Sequence, residues 1–489
     1  MHPFNLIDHP WIPVRWLAST TASKPSLVSL RDAFIHAHEI ADLDATPHER
    51  IALTRLLVCI THAALGAPQD EDSWENFGND LITTVPAYLA KAEIKDHFNL
   101  LGDGPRFLQQ KPESTDPTDG YPLSKIAFHL SSGNNPKLLD HWGEDPRPWT
   151  PQAAAIALLC LQNFFVGGSM ASKVHGNGPA LKSLQILLLG PDLASSILRN
   201  CLDHKFIEST GGKLGRPVWE AAPDHHLLAR LAPKPCALWL SDDLQIIFID
   251  QGHQYLEFDA YRDPYASTTT TKDDKRRLIR AKPDQGIWRD LHLLTNLSDA
   301  TGLTAPLNLQ CFNARKELGQ STQLWCGELI KAKDAKIEDC TESTFTVPHG
   351  LFCRNGRDLY AAGVDHAEHI ANFVYGAVKT YGKTLSHENP PTEEAKKHFW
   401  HHLDQNHRTL IALAGDPQPG QPAIGSPEAS DPWTKMVQEA AVLAFKAVCP
   451  HRTARQLEAY AAGIRVLHKA IYPKAPTTKK TTKSSTPTI

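Results

Sequence analysis

His398 and His402 stand four residues apart in the stretch HFWHH. On a helix that spacing puts both imidazoles on one face, where they could share a metal ion. His366 and His369, in the preceding helical stretch, are the nearest further donors. The pair lacks the intervening glutamate of an HExxH site, and a solvated or partly packed helix face accounts for it equally well. Asp140-His141 could form an acid–base pair, although a turn with one hydrogen bond has the same appearance. There is no GxxxxGK[ST] phosphate loop and no GxSxG elbow, so no enzyme class emerges from the motifs.

A different stretch raises a different chemistry. In NFFVGGSMASK (Asn163–Lys173) an apolar helical run stops at two glycines, then small residues, then a lysine. The conservative reading is a helix C-cap at Gly167. The alternative is bare peptide kept clear for a bulky partner, since backbone without side chains can approach closely. Further on, TKDDKRRLIRAK (Thr271–Lys282) gathers six Lys/Arg in twelve residues, which reads either as a solvated face or as a footprint for an anionic partner.

The elements that must position these residues fall into two parts. At 489 residues, two or three domains are expected. Hydrophobic residues at 41% and charged residues at 21% describe an ordinary globular protein, without an apolar run long enough to span a bilayer. Nine cysteines lie scattered singly from Cys59 to Cys449, which points to reduced thiols and a cytoplasmic location. Net charge is −4, yet residues 364–489 carry 15 Lys/Arg against 11 Asp/Glu, leaving the rest acidic.

Residues 1–363 read as a mixed α+β domain. Phe4–Ile7 and Trp11–Val14 resemble strands, and Thr46-Pro47-His48-Glu49 is a capping box that opens a helix running to Gly66. Thr150-Pro151 opens a second helix, ending at Gly167. Between them Ser131–Trp149 is a Gly/Asn/Pro-rich loop. Ala237–Leu240, LQIIFID and QYLEF read as a β-meander. From 364 to 475 only amphipathic helices are expected. The first is capped at Asp365, with Ile370, Phe373, Val374, Ala377 and Tyr381 on one face. The last carries Leu457, Tyr460, Ile464, Leu467 and Ile471. Four such helices predict a four-helix bundle. The tail 476–489 is low-complexity and expected to be disordered.

The blocks FNLIDHPWIPV, LTRLLVCITHAALGAP, RFLQ and SGNNPKLLDH, with the all-helical C-terminal third, resemble the large subunit of the type I-E CRISPR Cascade complex, the CasA family. The resemblance runs in blocks from residue 4 to about residue 472. It implies an α+β domain followed by a helical bundle, no catalytic activity and no cofactor. It also implies partners: the other Cascade subunits and guide RNA, double-stranded target DNA, and a helicase–nuclease.

Carried onto this sequence, the family's glycine loop, which reads the protospacer-adjacent motif (PAM), falls on Gly167, Gly168, Ser169 and Met170. Backbone groups at such a loop suit the degenerate code of the minor groove. Lys272 is the candidate minor-groove lysine, with Lys275 as runner-up. Gln320, beside Gly319 in RKELGQSTQLW, is the candidate wedge that splits the first base pairs, with Trp325 buried behind. Asn134, Asn135 and Lys137 would contact the rest of the complex or its guide. Lys396, Lys397, Arg408, Arg452, Arg455 and Lys469 would steer the displaced strand. Cys236 is the lone cysteine between the meander strands, so no zinc is expected. A metal-dependent hydrolase built on the histidines, or a scaffold that reads no DNA, are the competing readings.

Overall fold

A computed structural model of the chain describes residues 4–18, 24–112, 114–128, 149–170, 173–258, 260–270, 273, 275–297, 303–331, 337–418, 420, 422–426 and 431–472. The loop bearing Asn134, Asn135, Lys137, Asp140 and His141 lies outside these residues, as do Lys272 and the tail 476–489. The chain divides into two compact units, Met1–Val347 and Pro348–Ile489.

The first unit is built around the helix Pro47–Leu65. Its start follows the sequence: Glu49 reaches back to accept a hydrogen bond from the Thr46 amide at 2.9 Å, and Pro47 occupies the first helical position. Gly66 ends it at φ 82°, a left-handed angle that suits glycine. Every residue from Ile51 to His62 is buried, so this helix is enclosed on all sides rather than amphipathic. The helices Glu71–Leu89, Pro151–Phe164 and Leu227–Leu231 pack against it.

Small antiparallel sheets surround this core. Among the described residues there are four of three strands and one of two. The segment Phe4–Ile7 is not a strand; it makes one bridge, Asn5 to Asn99, while Trp11 donates its indole N–H to the Leu6 carbonyl at 2.9 Å. The strand that follows is Ile12–Trp16, paired with Leu27–Val28 and Ile40–Leu43. The expected meander is a hairpin only, Cys236–Leu240 with Ile246–Gln251, and its third strand comes from Tyr121–Pro122. QYLEF is not a strand because the Tyr255 hydroxyl donates to the Ala229 carbonyl (2.8 Å) and accepts from the Lys234 amide (3.0 Å), holding the chain off the sheet edge.

The second unit, in its described residues, is helical apart from a 3₁₀ turn and connections: Arg354–Thr384, Thr392–Asn406, Arg408–Gly415, Pro432–Val448 and Ala454–Ile471. The first helix begins eleven residues before the expected Asp365 cap, at Arg354. Its buried stripe includes Ile370, Val374, Ala377 and Tyr381, with Phe373 only half-buried. The last helix departs further from expectation. Leu457 is 52% exposed, and the seam runs instead through Ala459, Gly463, Leu467 and Ile471. A side chain at Gly463 would meet the Phe445 ring at 2.6 Å and the Ala377 carbonyl at 2.8 Å, so small residues let the helices come together there. None of the described helices is long and apolar enough to cross a membrane.

Candidate nucleic-acid interface

The glycine stretch is not a helix C-cap. The Pro151–Phe164 helix stops three residues before Gly167, with Phe165 as its cap residue. Thr150 accepts from the Ala153 amide at its start, and Gln162 locks its end by donating to the carbonyls of Leu108 (2.8 Å) and Cys236 (3.1 Å). The chain then forms a two-stranded hairpin, Gly168–Met170 against Lys173–His175, in the register Gly168↔His175, Ser169↔Val174, Met170↔Lys173.

The stem of this hairpin is packed backbone to backbone. A Cβ on Gly167 would lie 2.4 Å from the His175 carbonyl oxygen and 2.9 Å from the Asn177 nitrogen. One on Gly178 would lie 2.3 Å from the Asn163 carbonyl oxygen. The Gly178 amide donates to the Phe165 carbonyl (2.8 Å), the Ala180 amide to the Asn163 carbonyl (3.1 Å), and the Gly167 amide to Asn177 Oδ1 (3.2 Å). His175 is buried against the Phe165 ring at 5.8 Å between centroids. Gly168, by contrast, has nothing within 4 Å of where a Cβ would sit. Thus Gly167 is required by the fold, and the space on the Cβ side of Gly168 is open.

The basic cluster forms a second hairpin, Thr268–Thr270 with Arg276–Leu278, extended by Leu303–Thr304. Lys275 is exposed at its rim. The hairpin is tied into the unit where the Leu184 amide donates to the Ile279 carbonyl (3.0 Å) and where Glu328 accepts from Arg280 (3.0 Å) and the Ala281 amide (2.6 Å). Burial raises the Glu328 carboxyl above its ordinary range, even though Ala281 and Arg280 oppose the shift. Lys331, at the end of the strand Ser321–Lys331, has its ammonium pKa lowered by burial and then by repulsion from Lys182 and Arg280, a sign of crowded cations.

Gly319 and Gln320 are exposed and immediately precede the same strand. That strand pairs with Gln185–Leu189 from Gln323↔Leu189 to Gly327↔Gln185. The basic hairpin meets the Gly327 end, so Gln320 stands about 23 Å away along the strand at ~3.3 Å per residue. Trp325 is 1% exposed and donates to Glu342 Oε2 at 2.7 Å. The fold therefore brings the return of the glycine hairpin and the base of the basic hairpin to one cavity, and leaves Gln320 at the sheet's other end.

In the second unit, Lys397, Arg408, Arg452, Arg455 and Lys469 are all exposed. Arg455 donates to the Leu385 carbonyl at 3.2 Å, at the end of the long first helix. Lys396 is half-buried over the Tyr375 ring at 4.9 Å. Lys379 and Lys383 line the same cleft as Tyr375, and sequence reasoning passed over them, although the 375–379–383 spacing marks one helix face. His398 and His402 stand on the Thr392–Asn406 helix, His398 within 3.9 Å of Glu394. Among the described residues no three His, Cys, Asp or Glu side chains gather as metal ligands. Cys236 is buried with its sulfur 3.5 Å from Gln162 Oε1, and burial lifts its thiol pKa well above the usual range.

The profile of the CRISPR-associated protein Cse1 family matches residues 5–444, a span that takes in both hairpins and the Gln320 strand. The chain belongs to that family. A Cse1 relative, the CRISPR-associated protein CasA/Cse1 of Thermus thermophilus, is 26% identical, covering 91% of this chain and 92% of the relative. In fold the chain is similar to the crystal structure of Cse1 from Acidimicrobium ferrooxidans: TM-score 0.76 at 16% identity, over 96% of this chain and 98% of that one. It is also similar to a chain of a CRISPR RNA-guided surveillance complex: TM-score 0.72 at 18% identity, over 95% and 99%. The resemblance drawn from the sequence blocks holds, and so does the mixed α+β class.

Proposed function

We propose that this chain is the non-catalytic large subunit of a type I-E Cascade surveillance complex in the cytoplasm, reading the PAM of double-stranded target DNA. Membership of the Cse1 family supports the assembly. The observation that carries the reading role is the glycine hairpin, clamped at its stem and open at Gly168. Amide and carbonyl groups presented without side chains can meet minor-groove edges, which the groove's degenerate pattern makes tolerant of several flanks. The basic hairpin, through Lys272 or Lys275, supplies the neighbouring cation.

Asn134, Asn135 and Lys137 attach the subunit near the guide RNA in this reading. The C-terminal helices act as a four-helix bundle, with the two segments broken at His407 counted as one. Their exposed lysines and arginines steer the displaced strand, and the subunit helps to recruit the helicase–nuclease.

The test is R-loop formation by the reconstituted complex, with and without this chain, on targets that differ only in the flanking trinucleotide. Opening is expected to require the chain and to depend on the flank. Loss of opening in Gln320→Ala with flank-dependent duplex binding retained separates wedge from reader. Equal opening without the chain, or indifference to the flank, rejects the proposal.

A further inference from the structure

Beside the two hairpins lies a cavity of about 350 Å³, a size suited to a small organic ligand. It is lined by Asn177, Lys182, Arg277 and Arg280, and by the aromatic residues Tyr255 and Phe258. Arg230 lines it as well and is 5% exposed. The Arg230 guanidinium stacks 4.0 Å over the Tyr261 ring and donates Nη2 to the Leu256 carbonyl at 3.0 Å. Its Nε and Nη1 are buried without a hydrogen-bond partner.

An unpaired buried guanidinium edge costs free energy, and because this edge has no accessible surface, Arg230 acts on the cavity through its charge. Two carboxylates also line the cavity, Asp263 and Glu257. Asp263 is already engaged, by Arg55 at 2.8 Å and the Tyr265 amide at 3.0 Å. On the cationic side Arg280 is engaged by Glu328. Among the described lining residues, Lys182, Arg230 and Arg277 therefore face one remaining carboxylate, Glu257. Lys182 is held at φ 68°, a left-handed conformation that a lysine adopts only under constraint from its surroundings.

We infer that this cavity binds a phosphate group carried by a nucleotide-sized ligand, with the phosphate on Arg277 and Lys182, the charge of Arg230 added to the wall, and the ring against Tyr255 and Phe258. Forked guanidinium donors match phosphate oxygens, and more than one surplus cation suits a group carrying more than one negative charge. The aromatic lining gives the base a face to lie on. The inference stands whether or not the chain reads duplex DNA. The phosphate can come from a free mononucleotide or from the phosphodiester of a strand passing over the cavity, and the experiment distinguishes them.

The full chain is titrated with deoxythymidine 5′-monophosphate, followed by calorimetry and by the rise in melting temperature that a native-state ligand produces. Arg277→Gln, a change at an exposed residue, is expected to weaken binding about tenfold while leaving the unliganded melting temperature unchanged. Arg230→Gln, which removes a charge from the wall, is expected to weaken binding as well. A short single strand with hydroxyl ends then competes: displacement of the mononucleotide assigns the site to a backbone phosphate, and no displacement assigns it to a free nucleotide. Absence of mononucleotide binding, or binding that both Arg277→Gln and Lys182→Gln leave intact, overturns the inference.

Discussion

Replacing each of the two glycines by alanine in turn separates what the hairpin does for the fold from what it does for a partner. In Gly167→Ala the new methyl carbon lies 2.4 Å from the His175 carbonyl oxygen, 2.7 Å from the Gly176 carbonyl carbon and 2.9 Å from the Asn177 nitrogen. All three are backbone atoms, so no rotamer change relieves the overlap, and the stem must open. Overpacking of this kind costs about 3 kcal/mol. Gly168→Ala meets nothing within 4 Å, but its φ of 157° lies at the edge of what an L-residue adopts, a strain of about 1 kcal/mol. Thermal denaturation of the full chain is therefore expected to fall on the order of 5 °C or more for Gly167→Ala, and much less for Gly168→Ala. Binding to a PAM-flanked duplex should show the reverse sensitivity per unit of stability, with Gly168→Ala losing affinity while the fold persists. If Gly167→Ala melts like the parent chain, the close backbone crossing is not a constraint. If Gly168→Ala binds duplex unchanged, the open side of Gly168 does not touch the groove.

Three further outcomes follow from the geometry. His62 Nδ1 donates to the Gly66 carbonyl at 2.7 Å while Nε2 accepts from the Leu202 amide at 3.2 Å, so the ring is held neutral. Burial lowers its pKa from 6.5 to about 4, and the unfolded chain therefore takes the proton first. Its contribution of about 3 kcal/mol is complete above pH 6.5 and drains away as the pH falls toward 4; an NMR titration that finds His62 ionising near 6.5 would refute this. Arg55→Met strands the buried Asp263 carboxylate and should cost about 3–5 kcal/mol in urea denaturation, most of it recovered by adding Asp263→Leu; failure of the second change to recover stability would show that packing, not charge, is at stake. Neutralising Lys397 and Arg408 together should leave melting unchanged and flatten the salt dependence of single-strand binding by about 1.4 in slope; an unchanged slope removes these helices from the strand's path.

Local chemistry was the readable part of the sequence. Thr46, Pro47 and Glu49 announce the central helix because a capping box is contained within four residues, and Thr150-Pro151 does the same for the next. What could not be read depends on distant partners. QYLEF alternates like a strand, but Tyr255 bonds to Ala229 and Lys234, which only the fold brings near. Leu457 sits on one of two stripes that fit helical spacing, and the Ala459–Gly463–Leu467 stripe is the buried one because its small residues admit Phe445 and Ala377. The cavity was equally hidden: Arg55 reaches Asp263 across 208 positions, and Arg230 and Arg277 have no sequence proximity to suggest a common ligand. The spacing of Gln320 from Trp325 carries no information about which end of the strand meets the basic hairpin.

The stem of the glycine hairpin also has a thermodynamic consequence. A glycine-rich loop ordinarily surrenders more conformational freedom than any other sequence when a partner immobilises it. Here that loss has already been taken during folding, through the crossings at Gly167 and Gly178 and the locked helix end at Gln162. Association with a duplex should consequently carry a small entropic penalty from the stem, as expected of a pre-organised base rather than a segment that folds upon its target.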